Sequence, residues 1–200
     1  RVRVQVFDGT SWGGWSDPVQ AETGLLNPND WVARFVGPAW SQPAGPLRRP
    51  GRVRHEFHLD RAVRRARLYL SAHGLVEAEI NGTRVGCEEL VPGWTSYRHR
   101  LRYQTYDVTD LLADGANALG AQLADGWFRG YVGFTGGRAH YGERTGLFAQ
   151  LEIDHPDGSR TTVTTDGEWR STPAPTTRAG IYSGETFDVR RELPGWSRSG

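Results

Sequence analysis

From Val53 onward the sequence is built of short apolar alternations, each closed by Gly, Asn, Asp or Pro, and none leaves room for a long helix. VRHEFHL (53–59) puts Val53, His55, Phe57 and Leu59 on one side, and ARLYLSA (66–72) does the same with Ala66, Leu68, Leu70 and Ala72. A period of two is that of a half-buried strand. In LVEAEINGTRVG (75–86), Val76, Ala78 and Ile80 alternate with Glu77 and Glu79. Asn81-Gly82 follows, a pair that accepts the positive φ of a type I′ hairpin turn. The chain of 200 residues holds 26 Gly and 11 Pro. In a helix interior these cost about 1 and about 3 kcal/mol each. The crossover helices of about 10 to 15 residues that a parallel sheet requires therefore have nowhere to form.

Further strands are predicted at LRYQTYDVT (101–109) and at ALGAQLAD (118–125), with Leu119, Ala121 and Leu123 on one side. DLLADGAN (110–117) between them reads as a helical turn or loop. GLFAQLEIDHPDGSRTTVTTDGEW (146–169) reads as a hairpin around a Pro-Asp-Gly apex, with Leu147, Ala149, Leu151 and Ile153 facing inward. The fold class that follows is all-β, an antiparallel, jelly-roll-like β-sandwich over residues 52–197. It requires Leu68, Ile80, Leu123 and Leu151 to face one shared interior.

Ahead of it, RVRVQV (1–6) alternates Arg1, Arg3 and Gln5 with Val2, Val4 and Val6. DGTSWGGWSDP (8–18) is a Gly-rich connection and VQAET (19–23) a second short strand. Two strands bury no sheet face alone, so residues 1–24 are expected to be the last strands of a truncated domain. Residues 25–51 are expected to be a linker, with a short strand at WVARFVG (31–37) and a Pro/Gly segment, PAWSQPAGPLRRPG (38–51).

Charge narrows the function classes. With 24 basic residues, all Arg, against 23 acidic ones, the formal net charge is +1, and nucleic acid or an anionic membrane has no broad basic field to bind. No apolar run approaches the roughly 18 residues of a membrane helix. RVRVQVFDG lacks the apolar block of a signal peptide, though a longer parent polypeptide can still be exported, and a secreted or cell-envelope location is favoured over the cytoplasm. Cys87 is the single cysteine and forms no internal disulfide.

The longest interruption of the strand pattern is DGWFRGYVGFTGGRAHYGERTG (125–146), with five aromatic residues, three Arg and seven Gly. A long excursion of this kind inside a compact domain is a candidate functional loop. Aromatic faces stack on the C–H face of a sugar ring, while Arg and Asp hold its hydroxyls. Asp125, Trp127, Arg129, Arg138 and Tyr141 are therefore the candidate carbohydrate-binding residues. The same residues admit a second reading, in which the aromatics plug one end of the sandwich and Arg129 or Arg138 pairs with Asp125 or Glu143.

ELVPGWTSYRHRLRY (89–103) sets Trp94 and Tyr97 beside Arg98, His99 and Arg100, and reads as a solvated turn rather than a ligand clamp. Asp125, Glu143 and Glu185 are conceivable partners in a carboxylate pair for glycoside hydrolysis, which needs a defined separation that spacing cannot supply. No phosphate-binding loop or helical His-Glu-x-x-His occurs. Calcium is the cofactor that Asp and Asn side chains with loop carbonyls would suit, at a site assembled from separate loops, since EF-hand spacing is absent.

With those residues in place, the chain resembles the N-terminal accessory region of bacterial α-L-rhamnosidases. The match rests on AEINGTRVG (78–86), LVPGWTSYRHRLRYQTYDVTDLL (90–112), ADGWFRGYVGF (124–134), Tyr141-Gly142-Glu143-Arg144 and IYSGETFDVRRELPGW (181–196). Residues 1–26 resemble the end of the fibronectin- or immunoglobulin-like domain that precedes this region. The resemblance implies a noncatalytic β-sandwich, since the family's catalytic acids lie downstream in an (α/α)6 barrel. That barrel, on the same polypeptide, and a rhamnose-containing glycoside are the implied partners. Related domains in some members are calcium-assisted rhamnose-binding modules.

Overall fold

A computed structural model describes residues 1–40, 48–133 and 136–200, which fall into two compact units, Arg1–Trp31 and Val32–Gly200. Residues 41–47 of the Pro/Gly segment, and Phe134 and Thr135 of the aromatic excursion, lie outside the described residues.

In the first unit two extended segments pair through single bridges, Val2 with Val19 and Phe7 with Trp12. The Asp8 carboxylate accepts from the backbone N–H groups of Thr10 and Ser11 and tightens the connection. The alternation of Val2, Val4 and Val6 was expected to mark a half-buried strand, yet all three are more than half exposed. A ribbon of two segments has no second layer to cover either face. VQAET likewise contributes only the bridge at Val19.

The second unit is the antiparallel sandwich. One sheet has the order β4-β3-β6-β1-β9 and the other β5-β2-β7-β8. The first is made of β1 (Gly51–Leu59), β3 (Leu75–Ile80), β4 (Thr83–Arg84), β6 (Gly115–Ala124) and β9 (Arg170–Pro173). The second is made of β2 (Arg65–His73), β5 (Gln104–Asp107), β7 (Gly146–Asp154) and β8 (Arg160–Thr164). A separate hairpin pairs β10 (Thr176–Gly180) with β11 (Gly184–Phe187).

Registers follow the alternation read from sequence. β1 pairs with β6 from Gly51 opposite Leu123 to Leu59 opposite Gly115, and β2 with β7 from Arg65 opposite Asp154 to His73 opposite Gly146. Leu68, Ile80, Leu123 and Leu151 are all fully buried in one cluster with Leu70, Leu119, Leu147 and Ile153. The Asn81-Gly82 turn forms as predicted, with φ of 52° and 82°.

Three expectations are corrected. WVARFVG is not a strand: only Val36 bridges, to Leu147, while Val32 N–H donates to the Gln150 side chain. The strand expected over 101–109 is limited to Gln104–Asp107. β6 is buried on both faces rather than one, because Ala118 and Gly120 are covered as well as Leu119, Ala121 and Leu123. The outer cover is the C-terminal segment, which straps across that sheet. The Arg52 guanidinium lies 4.4 Å from the Trp196 ring centroid and also pairs with Glu192. Ser197 hydrogen-bonds Glu79, and Ser199 Oγ donates to the Ala116 carbonyl.

Candidate functional site

The excursion after β6 begins with one helical turn, α1 (Gly126–Arg129), which aims Asp125, Phe128 and Arg129 inward. Asp125 Oδ1 accepts from Arg129 Nε at 2.7 Å, and Asp125 Oδ2 from Arg138 Nη2 at 3.0 Å. Asp125 and Arg129 are 4% and 3% exposed. Burial is the main influence holding the Arg129 guanidinium below its ordinary range, opposed by Asp125. Of the five candidate sugar contacts, the structure thus joins Asp125, Arg129 and Arg138 in an ion-pair cluster that ties the loop's start to its middle.

Trp127 and Tyr141 face another way. Trp127 is half-buried and stands parallel to Trp94, ring centroids 6.3 Å apart and planes 5° apart, while Trp94 is 50% exposed. The Trp94 indole N–H points to the Tyr141 hydroxyl at 3.4 Å, and Tyr141 packs on Tyr97 at 4.9 Å. Tyr97 meets Phe128 edge-on, and burial, with Tyr141 adding to it, pushes its phenol up to about 12. The two candidate segments, 89–103 and 125–146, therefore build one surface. Arg98, His99 and Arg100 are exposed, as expected of a solvated turn, but Trp94 and Tyr97 belong to the aromatic shelf. Gly142 lets the loop lie on Phe128, since a Cβ there would fall 2.4 Å from the ring.

Beside the shelf, a cleft of about 660 Å3 is lined by Phe35, Trp40, Arg48, His73, Arg129 and Arg144 among others. His73 is sandwiched between Phe35 and Phe128, centroids 4.0 and 4.5 Å away and both planes within 4°. Burial lowers its pKa. Sequence reasoning missed this stack, because Phe35, His73 and Phe128 are far apart in the chain and nothing local marks them.

The three conceivable catalytic carboxylates have different surroundings. Asp125 is saturated by two guanidinium groups, Glu143 pairs with Arg48 on the wall of the cleft, and Glu185 lines a different groove with Glu77 and Glu89. Asp125, the buried carboxylate beside the shelf, also fits calcium poorly, since arginines already occupy both of its oxygens. Among the described residues no three His, Cys, Asp or Glu side chains converge where a cation could be held.

Fold and rim together define an antiparallel β-sandwich module with an aromatic shelf and an arginine-lined cleft at one end. The model of the alpha-L-rhamnosidase N-terminal domain matches residues 61–200, and the chain belongs to that family. It is 43% identical over 212 residues to an alpha-L-rhamnosidase of Streptomyces avermitilis, matching 98% of this chain and 20% of the relative. The crystal structure of native α-L-rhamnosidase from Aspergillus terreus superposes with a TM-score of 0.92 at 42% identity, over 99% of this chain and 23% of that one. The Streptomyces avermitilis enzyme complexed with L-rhamnose superposes with a TM-score of 0.75 at 42% identity, over 98% of this chain and 20% of that one. The chain thus spans about a fifth of the length of the curated relatives it matches.

Proposed function

We propose that this chain is a noncatalytic accessory domain of an α-L-rhamnosidase, an enzyme that removes terminal α-L-rhamnosyl units, and that the Trp94–Trp127–Tyr141 shelf receives a sugar ring of the substrate. The observation that carries the reading is the half-exposed Trp94, held parallel to Trp127 beside the Tyr141 hydroxyl. It offers an apolar face for the C–H side of a sugar with a polar group at its edge. The pairing of Asp125 and Glu143 with arginines, and the position of Glu185 in a different groove, support the noncatalytic half. Titrating the chain with L-rhamnose, with and without calcium, is expected to give a saturable heat. Trp94→Ala should weaken it about five- to tenfold, the equivalent of roughly 1 kcal/mol of lost stacking. Absence of any saturable signal overturns the binding half.

A second reading, a purely structural domain docking the catalytic barrel, is favoured by the exposed Tyr182, Phe187, Val189 and Leu193 near the end of the chain. In that case Trp127 and Tyr141 would be more solvent-accessible in this chain alone than in the longer enzyme. Equal exposure in both counts against it.

A further inference from the structure

The cleft beside the shelf holds more positive charge than it neutralises. Arg48, Arg129 and Arg144 line it, and Arg138 shares Asp125 with Arg129. Of the three guanidinium groups that line it, Arg129 pairs with Asp125 and Arg48 with Glu143, and Arg144 is left over. Arg144 has no acidic or hydrogen-bonding partner among the described residues. Arg48 is 8% exposed, gives Nη1 and Nη2 to Glu143, and leaves its buried Nε without an acceptor among the described residues. Unsatisfied buried donors are rare in native proteins and call for a partner. A guanidinium fork matches a carboxylate in geometry and charge.

The remaining walls suit a sugar ring. Phe35 is 40% exposed and, with Trp40, supplies aromatic surface. Both faces of the His73 imidazole are covered by Phe35 and Phe128, so only its edge remains to meet a ligand. A neutral imidazole edge carries one donor and one acceptor, the complement of a pair of hydroxyls. The volume lies within the range of small-ligand sites.

We infer that this cleft binds a carboxylate-bearing sugar, a uronic acid unit of a glycan, with its carboxylate on Arg144 and Arg48 and its ring between Phe35, Trp40 and the edge of His73. That the ligand is a sugar rests on the proposed function, whereas the anion site stands on the arginines alone.

The test titrates the chain with methyl α-D-glucuronide, methyl α-D-glucoside, L-rhamnose and sodium sulfate, using wild type, Arg144→Ala and Trp94→Ala. The glucuronide is expected to bind saturably and more weakly as salt rises, and the glucoside at least tenfold more weakly. Arg144→Ala should lose about tenfold for the glucuronide, the fold-change of one charge-assisted contact, and keep the wild-type unfolding midpoint. Trp94→Ala should leave glucuronide binding unchanged while weakening L-rhamnose, so failure of the cleft and failure of the shelf are read separately. Equal binding of glucoside and glucuronide, or no effect of Arg144→Ala, overturns the inference. Sulfate binding as tightly as the glucuronide overturns its sugar half.

Discussion

The indole of Trp196 occupies the space that a side chain on Gly120 would fill: a Cβ built there would lie 2.6 Å from Cζ3 of the ring. Gly120 is the centre of β6, and its bare surface is what allows the C-terminal strap to lie flat on the sheet. Trp196→Ala is expected to destabilise the domain by roughly 2 kcal/mol, the value of burying about half of a large aromatic. Gly120→Val should do comparable damage from the other side of the contact. Urea unfolding of both variants checks this, and a loss below about 0.5 kcal/mol for each would mean that the strap contributes little to the fold.

A second point of stability is the amide pair at the ends of β3 and β6. Asn117 is fully buried and has every hydrogen-bonding group engaged: Nδ2 donates to the carbonyls of Ala113 and Gly115, and Oδ1 accepts from Ala113 N–H and Asn81 Nδ2. Asn81 in turn accepts from Ala118 N–H and donates to the Leu111 carbonyl. Asn117→Leu would strand these partners in the interior, at a cost of about 1 to 3 kcal/mol for each unsatisfied group. A drop of about 3 kcal/mol or more in unfolding free energy is expected. Hydrogen exchange at Ala113 and Ala118 should accelerate in the same variant.

These two features show what was legible in the sequence. Ile80, Leu123 and Leu151 reveal themselves by a period of two, and Asn81-Gly82 by the turn it demands, because strand and turn preferences are local. The family too was legible, since its motifs are contiguous. The extra burial of Gly120 was not, because the residue that covers it, Trp196, comes more than seventy positions later. The same limit hid the Phe35–His73–Phe128 stack and the meeting of Trp94 with Trp127. Composition pointed to residues 125–146, but only the fold separates the residues that turn inward, Asp125 and Arg129, from Trp127, which keeps part of its surface open.

That separation is testable at Asp125. Its carboxylate is the only counterion of the buried Arg129 recorded among the described residues. Removing one partner of a buried ion pair costs about 3 to 5 kcal/mol, because the other charge stays desolvated. Asp125→Ala is expected to cost that much and to loosen the loop, raising proteolytic cleavage between Gly130 and Arg144. Asp125→Asn, which keeps shape and hydrogen bonds but not charge, should cost less. If Asp125→Ala instead left stability intact while abolishing sugar binding, Asp125 would be a ligand contact rather than the anchor of the loop.

His73 should make stability fall on the acid side of neutrality. Wedged between Phe35 and Phe128, the imidazole is desolvated, and its folded pKa lies below the ordinary 6.5. Between the two values the unfolded chain binds more protons than the folded one, so unfolding free energy rises with pH there. The contribution is complete above about pH 6.5 and is lost as pH falls from there toward the lowered value. His73→Phe keeps an aromatic ring between the two phenylalanines and removes the titration. Wild type is therefore expected to lose stability between pH 7.5 and about pH 5.5, as measured by urea unfolding, and His73→Phe to lose distinctly less over the same interval. Parallel losses in the two proteins would assign the acid sensitivity to other groups. Asp107 and Asp154 are not among these: their carboxyls are held below their ordinary values by bonds from Thr109 and Arg160, respectively, so their contribution is lost only in stronger acid, outside this interval.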